Sequence, residues 1–460
     1  MPTSQPKQPN EALRAVLRES GLSYELLARR VRTIAAENGD RSLRTNSAAV
    51  TQWVKGTPPQ PSTAAYVTEA LSRKLGRLVT LAEIGLPSTE DADTSLSLAQ
   101  DPVASLAHLG RADVDRRRFL STTVYSVGAL TLPLAAGAAE ATQRAEAAGA
   151  GRASGQADVD TVREVTSVFS RADERLGGNN GRSAVVEYLS TDVATYLNGT
   201  FANDAVRRGM FSAAAELAYL AGWKAHDAGR DGLAQRYYLH AFQMTQESDP
   251  RAHAGYILRI MAHQAFDLGH HAHCVDLAEA ALKRVRGQVD AGTETLFWLT
   301  LARAHAAEGD GRRALGAISK AEHLMSIVRT GEPPMWAVMG GSAEARASNQ
   351  TAKALTQLGD MTAAAEQYQR SAQCWDPKRF PRIYALTLAD LGQTQLARGH
   401  IDTACGTWST ALDHMGGMAS ARVRTAVGDI RSQLAVFRGR NATDARKLDE
   451  RAAQWQAATA

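Results

Sequence analysis

Along residues 10–20, NEALRAVLRES, the apolar positions Leu13, Val16 and Leu17 fall at helical spacing, and Gly21 follows as a stop. A second helix is predicted directly after it, in GLSYELLARRVRTIAAENG. Ser23 is placed to cap it, and Leu26, Leu27, Ala28, Val31 and Ile34 carry its apolar face. Beyond the polar stretch NGDRSLRTN comes NSAAVTQWVKGTPPQPS. At about 100° per residue, Val50, Trp53 and Val54 share one face of a short helix, while Ala48, Thr51, Gln52 and Lys55 share the opposite one. The first set is suited to anchoring the helix and the second to facing out, with Ser47 on its flank. Gly56 ends the helix, and Pro58-Pro59 prevents its continuation.

From about residue 205 a longer period overlies the helical one. Glycines stand at 229, 269, 309, 359, 399 and 439, forty residues apart except for one interval of fifty. Five residues after them come Ala234, Cys274, Ala314, Ala364 and Ala404; twelve after come Ala241, Ala281, Ala321, Ser371 and Ala411; seven before come Gly222, Ala262, Ala302, Ala352 and Gly392. Small residues at these offsets allow two antiparallel helices to approach closely on either side of each Gly turn, and each pair to stack on the next. Tyr238, Ile318, Tyr368 and Trp408, nine residues after their glycines, are the large side chains that fill the space between pairs. The fifty-residue interval carries an insertion, VRTGEPPMWAVMGGSAE, which reads as a surface loop.

Composition agrees with this picture and adds one asymmetry. The chain has 460 residues with abundant Ala and only 6% aromatics, a mixture that favours helices. Residues 1–88 hold twelve Lys and Arg against seven acids, a net +5, so the formal charge of +4 comes from a basic head, and the remainder sums to −1. A head of this kind suits a polyanionic partner. An outward helix face of small, hydroxyl and amide side chains suits the DNA major groove: Ser47, Ala48 and Thr51 permit close approach, Gln52 can pair with an adenine edge, and Lys55, Arg41 and Arg44 can meet phosphates.

The segments GLSYELLARRV, SAAVTQWVKGTPP and YVTEALSRKLGRLVTLAEIG together resemble the helix-turn-helix domains of phage-repressor-like (XRE) transcription factors. The resemblance covers residues 10–86 and implies that the helix beginning near Ser47 is the recognition helix. The family joins its two central helices by a turn of a few residues, whereas about ten lie between Glu37 and Ser47 here, which makes Arg41 and Arg44 part of an enlarged loop. Residues 205–455 resemble tetratricopeptide repeats, with a period longer than the usual one of about 34. That resemblance implies a superhelix whose concave face is lined by the first helix of each pair. Carried over by offset, the lining comprises Glu216, Tyr219, Trp223, His226, Tyr256, Arg259, His263, Phe266, Arg303, Arg346, Asn349, Lys353 and Gln393. Trp223, Tyr256, Arg259, His263, Arg303, Arg346, Asn349 and Lys353 form the candidate ligand site, for an extended peptide or an anionic small molecule. An ordinary solvated groove is the plainer alternative.

Residues 115–139, DRRRFLSTTVYSVGALTLPLAAGAA, have the layout of a twin-arginine export signal or a short membrane anchor. Yet a DNA-binding head stands before them, and Ser121, Thr122, Thr123, Ser126, Thr131 and Pro133 weaken the run as a spanning helix. The expectation is a linker helix packed on the repeats or on a second copy, preceded by an acidic, Ser-rich flexible link at 87–114. Segments of this type also occur in actinobacterial regulators that join an XRE-like head to tetratricopeptide repeats, which the chain resembles over most of its length. The tract GHHAHC offers His270, His271, His273 and Cys274, but no further ligand at a useful spacing. No catalytic motif is found, and neither enzyme activity, a metal nor a cofactor is expected. The three cysteines read as reduced structural thiols of a cytoplasmic protein.

The sequence therefore predicts an all-α protein in three parts: a helix-turn-helix DNA-binding domain at 1–86, a linker with an apolar helix at 87–157, and a tetratricopeptide-repeat superhelix at 158–460. The expected function is that of a transcriptional regulator. It binds double-stranded DNA as a homodimer and senses a peptide or small-molecule signal in the repeat groove, like peptide-pheromone receptor regulators of similar architecture, with no membrane partner. The rival expectation is an interaction scaffold that recruits a partner protein and binds DNA weakly.

Overall fold

A computed structural model describes residues 8–86, 101–114, 124–135, 153–327, 333–338, 341–437 and 443–459. It is all-α: a small N-terminal helical domain precedes a superhelix of adjacent helix pairs. Among the described residues the only β-type pairing is an isolated bridge between Ser154 and Phe201.

The head contains α1 (Glu11–Ser20), α2 (Tyr24–Glu37), α3 (Ser47–Val54) and α4 (Pro61–Leu75). Asn10, Ser23 and Asn46 cap the first three by accepting from the backbone N–H groups of Leu13, Leu26 and Ala49. The anchoring residues lie where their periodicity put them, with Leu13, Leu17, Leu27, Val31, Val50, Trp53, Val67 and Leu71 buried together. Gly56 has φ +95°, and the Gln8 carbonyl occupies the place a side chain would need. The Asn10 N–H donates to the Val54 carbonyl at 2.9 Å, so the chain preceding α1 crosses the end of α3 and fixes it.

The stretch read as a flexible link differs in its second half. Residues Pro102–Val114 form α5, whose Val103, Leu106 and Leu109 enter the core of the body. Asp113 at its end is buried, ion-paired with Arg182 and hydrogen-bonded by the Tyr237 hydroxyl at 2.9 Å. Leucine and valine at helical spacing outweigh the polar composition around them. The arginines of DRRRFL lie outside the described residues. The described part of that segment is not the linker helix expected. Residues 124–127 are not helical, and a 3-10 turn at Gly128–Thr131 and a single helical turn at Leu132–Ala135 follow. It is buried between head and body: Val124 belongs to the head core, while Tyr125, Val127, Ala129 and Leu130 belong to the body core. Among the described residues no helix is long and apolar enough to cross a membrane.

Helices α6 (Gln156–Leu176), α7 (Arg182–Tyr188) and α8 (Ala194–Asn198) open the body. Six pairs follow: α9 (Asp204–Asp227) with α10 (Asp231–Ser248), α11 (Ala252–Asp267) with α12 (Cys274–Val285), α13 (Ala291–Ala307) with α14 (Gly311–Ser326), α15 (Ala343–Gln357) with α16 (Met361–Cys374), α17 (Pro381–Ala397) with α18 (Ile401–His414), and α19 (Ala421–Leu434) with α20 (Thr443–Ala458). The five described period glycines all have positive φ, and the small residues five and twelve positions after them are buried. The offsets seven before and nine after interlock. A Cβ on Gly222 would meet the Tyr238 ring, and one on Gly392 would meet the Trp408 indole, so glycine stands where the large side chain is aromatic.

Two features depart from an open superhelix with a surface loop. The described part of the insertion at 333–338 turns inward: Trp336 is buried, stacks on His253 with ring centroids 5.5 Å apart, and lies 5.1 Å from the Tyr256 ring. The area and polarisable face of an indole are better used there than in water. The body also closes on itself. The Ala419 N–H donates to the Leu176 carbonyl at 2.9 Å, the Ser420 hydroxyl donates to Asp227 at 2.9 Å, and Arg382 of α17 pairs with Asp173 and Glu174 of α6 and with Asp227 of α9.

Candidate functional site

On the head, α3 presents Ser47, Ala48, Gln52 and Lys55 to solvent, and Arg41 and Arg44 are exposed on the loop before it. Thr51 was expected to share that face but is half-buried, and its hydroxyl donates to the Ser47 carbonyl at 2.9 Å. Helix α2 runs its full predicted length, so residues 38–46 form the enlarged loop. Arg44 donates to the Arg41 and Leu43 carbonyls, which folds that loop on itself. The acids of the head are largely spent away from α3: Glu37 and Glu69 pair with Arg73, and Glu19 and Glu83 pair with Arg77. No carboxylate among the described residues pairs with Arg41, Arg44 or Lys55, so the positive charge flanking α3 is unmatched.

The head is held on the body through the buried segment. Ser126 exchanges two hydrogen bonds with the Gln235 side chain of α10, at 2.7 and 2.6 Å, and the Val127 N–H donates to Glu69 of α4 at 3.0 Å. The Tyr125 ring stacks on His270, centroids 5.3 Å apart. This accounts for one histidine of GHHAHC. Cys274 of the same tract is fully buried.

In the body the structure gathers all eight candidate ligand residues, from four helices, around one cavity of about 140 Å³. Trp223 comes from α9, Tyr256, Arg259 and His263 from α11, Arg303 from α13, and Arg346, Asn349 and Lys353 from α15. Of the other lining residues carried over by offset, Tyr219 joins them, but Glu216, His226, Phe266 and Gln393 do not line it. Glu216 instead faces Arg163 at 3.7 Å, its carboxyl pushed up to about 7 by burial.

The charges of this cavity are unevenly matched. Arg382, 1% exposed, has three carboxylates, and Lys353 has Asp390 at 3.8 Å. Arg259, Arg303 and Arg346 have none within 4 Å among the described residues. Arg259 donates from Nε to the Leu296 carbonyl at 3.2 Å, and Arg346 from Nη2 to the Ala337 carbonyl at 2.9 Å. Arg303 donates from Nη1 to Gln350 Oε1 at 2.9 Å and to His263 Nδ1 at 3.0 Å. Since Nδ1 of His263 accepts, its proton sits on Nε2, which donates to the Thr300 hydroxyl at 3.2 Å. The ring is therefore neutral, in keeping with burial and the nearby Arg259 and Arg303 charges, which hold it well below the usual imidazole range. Burial pulls all three arginines down, Arg259 to about 10. The Nε atoms of Arg303 and Arg346 are buried without any acceptor.

Asn349 of the candidate ligand site is largely committed: Nδ2 donates to the Thr387 hydroxyl at 3.1 Å, and Oδ1 accepts from Gln350. Below the cavity, His226 lies 2.5 Å from Asp231 and 3.2 Å from Asp267. Burial opposes its charge, but these hydrogen bonds outweigh it and raise the ring to about 9. Offset reasoning missed Asp173, Glu174, Trp375, Arg382 and Arg422, which also line the cavity. They come from the ends of the superhelix or from outside the repeat register, and only closure brings them there. Gln350, beside Asn349, carried no signal apart from its neighbour.

Comparison with family models finds a likeness in the head. Residues 13–87 match the SP15 N-terminal domain. Comparison with curated proteins returned no match.

Proposed function

We propose that the protein is a sequence-specific DNA-binding transcriptional regulator of XRE type, acting as a homodimer, whose tetratricopeptide-like body takes a peptide or small-molecule signal. The observation that carries this reading is the surface of α3. Val50, Trp53 and Val54 hold the helix in the core, while Ser47, Ala48, Gln52 and Lys55 stay exposed in the whole chain, flanked by Arg41 and Arg44. Polar side chains that can meet base edges are thus set within unpaired cations that can meet phosphates. The docked head supports the second half: Gln235 and His270 of the body and Glu69 of the head grip opposite sides of residues 125–127, so a change of shape in the body has a path to the recognition helix. The seam formed by Arg382 and Ser420 favours this over a scaffold, because it narrows the inner face to a partly open pocket of about 140 Å³ rather than a continuous groove for a partner chain.

The test is selection of bound duplexes from a random pool, followed by titration at controlled salt. T51A/Q52A should lose about 1–3 kcal/mol of discrimination through the exposed Gln52 amide, the Thr51 hydroxyl being bonded to the Ser47 carbonyl. Arg41→Ala and Arg44→Ala should weaken all sequences alike and reduce the salt slope. A pool that yields no enriched sequence, or a double variant with unchanged discrimination, removes α3 as the reader. Light scattering of the complex reads the stoichiometry, and one chain per duplex would overturn the dimer.

A further inference from the structure

We infer that the body cavity is a site for a small, single-ring aromatic acid whose oxyanion is held by Arg259, Arg303 and Arg346. This rests on the reading of the body as a ligand-binding module, but not on the DNA-binding role of the head. The contrast with Arg382 in the same cavity is the central observation. There the protein surrounds a buried guanidinium with three carboxylates, whereas Arg259, Arg303 and Arg346 have only neutral acceptors. Each guanidinium has five N–H donors in a fixed fork, so most of theirs stay free for an acceptor. Uncompensated buried cations weaken a fold, and a cluster of three is suited to a ligand that brings the missing negative charge.

The remaining walls set the size and character of the ligand. Tyr219, Trp223, Tyr256 and Trp375 line the cavity, offering ring faces and edges to an aromatic group. Its volume of about 140 Å³ is near that of a cavity that accepts one benzene ring, roughly 150 Å³. The contacts of Arg382 and Ser420 with the opening helices narrow the superhelix around it, which favours a compact ligand over an extended peptide. His263 is neutral and Lys353 is matched by Asp390, so Arg259, Arg303 and Arg346 remain without an ion pair among the described residues, and Arg422 over the Trp223 ring adds a further guanidinium. They favour a doubly charged phosphate monoester over a singly charged carboxylate.

The experiment uses the full chain without DNA, by calorimetry and thermal shift, with phenyl phosphate, benzoate, inorganic phosphate and phenol as probes. Phenyl phosphate should bind at least about tenfold more tightly than phenol, the difference expected of one charge-assisted hydrogen bond. It should also bind more tightly than inorganic phosphate, which lacks the ring. Binding of phenyl phosphate above benzoate identifies a phosphate ester, and the reverse order a carboxylate; both retain the oxyanion. R303Q and R346Q should each weaken phenyl phosphate by about tenfold or more while the empty protein melts no lower than wild type, because an uncompensated charge has been removed. Equal affinity for phenol and phenyl phosphate, no binding of any probe, or unchanged affinity in both variants would overturn the inference. The probe order is read on the wild-type chain, so it decides even if a variant fails to fold. Titration of the selected DNA with and without phenyl phosphate separates the two readings. Binding of the probe with no effect on DNA affinity keeps this site and discards sensing, whereas absence of binding discards the site and leaves the DNA-binding reading to its own test.

Discussion

Replacing Arg382 by Ala should open the body at its seam. The guanidinium is 1% exposed and meets Asp173 at 2.5 Å, Glu174 at 2.8 Å and Asp227 at 3.1 Å, and it also donates to the Asp173 carbonyl. Its removal leaves Asp173 with Lys224 at 3.2 Å, Asp227 with the Gly178 N–H and the Ser420 hydroxyl, and Glu174 with no cation within ion-pairing distance. Breaking one side of a buried ion pair costs about 3–5 kcal/mol, chiefly because the remaining charge stays buried. With part of the compensation kept by Lys224, R382A should cost about 3–4 kcal/mol in urea unfolding followed by circular dichroism. The loss should begin locally. The Ala419 and Gly178 amides, bonded to the Leu176 carbonyl and to Asp227, should lose hydrogen-exchange protection before the central helix pairs do. Burial alone would raise the Asp227 carboxyl, but the charges of Arg382 and Arg422 hold it below 3.8. Its contribution to stability is therefore present above pH 3.8 and lost only as pH falls through the lower folded value, and R382A should remove that acid limb. The replacement R382M/E174Q/D227N, which neutralises the stranded carboxylates and keeps the Asp173–Lys224 pair, should recover most of the loss. A cost of R382A below about 1 kcal/mol, with the Ala419 and Gly178 amides still protected, would refute the seam as a closure.

Other perturbations probe separate parts of the architecture. His226 is held at about 9 against 6.5 when free, so its stabilisation is complete below pH 6.5 and lost as pH rises through 9; the stability difference between wild type and H226Q should vanish across that window in denaturant titrations. Gly392→Ala places a methyl group against the buried Trp408 indole and should cost about 1–3 kcal/mol by overpacking, measurable as a lower urea midpoint. Trp336→Ala removes the inward-folded ring from His253 and Tyr256 and should cost about 3 kcal/mol, with raised exchange in α11; a neutral result would place the insertion on the surface. Gln235→Ala leaves both backbone groups of Ser126 without their partners and should cost about 2 kcal/mol, with faster proteolysis of the segment joining head and body.

The helices, their caps and the repeat were legible because each depends on residues close in sequence. Ser23 caps α2 through a bond three residues away, and Gly229 and its successors mark turns that recur with the period. The residues facing the cavity could be named by offset for the same reason: Arg259, Arg303 and Arg346 stand ten, six and thirteen positions before their glycines, offsets that share the inner side of successive first helices, and stacking of the pairs brings them together. What that periodicity does not contain is anything joining distant units. Arg382 and Asp173 are more than two hundred residues apart, and their pairing depends on how far the superhelix turns, a sum of small rotations over the four pairs between them. The inward fold of Trp336 and the wedge of residues 124–130 were hidden for a related reason. Their composition suited a surface loop and a linker helix equally well, and only the shape of the cavity and the gap between head and body offered the apolar surface that captured them. The sequence thus determined the units and the face each presents, through short-range periodicity and steric fit. The tertiary structure decided the closure, the uncompensated charge inside it and the docking of the head, because these arise from contacts whose partners no local pattern specifies.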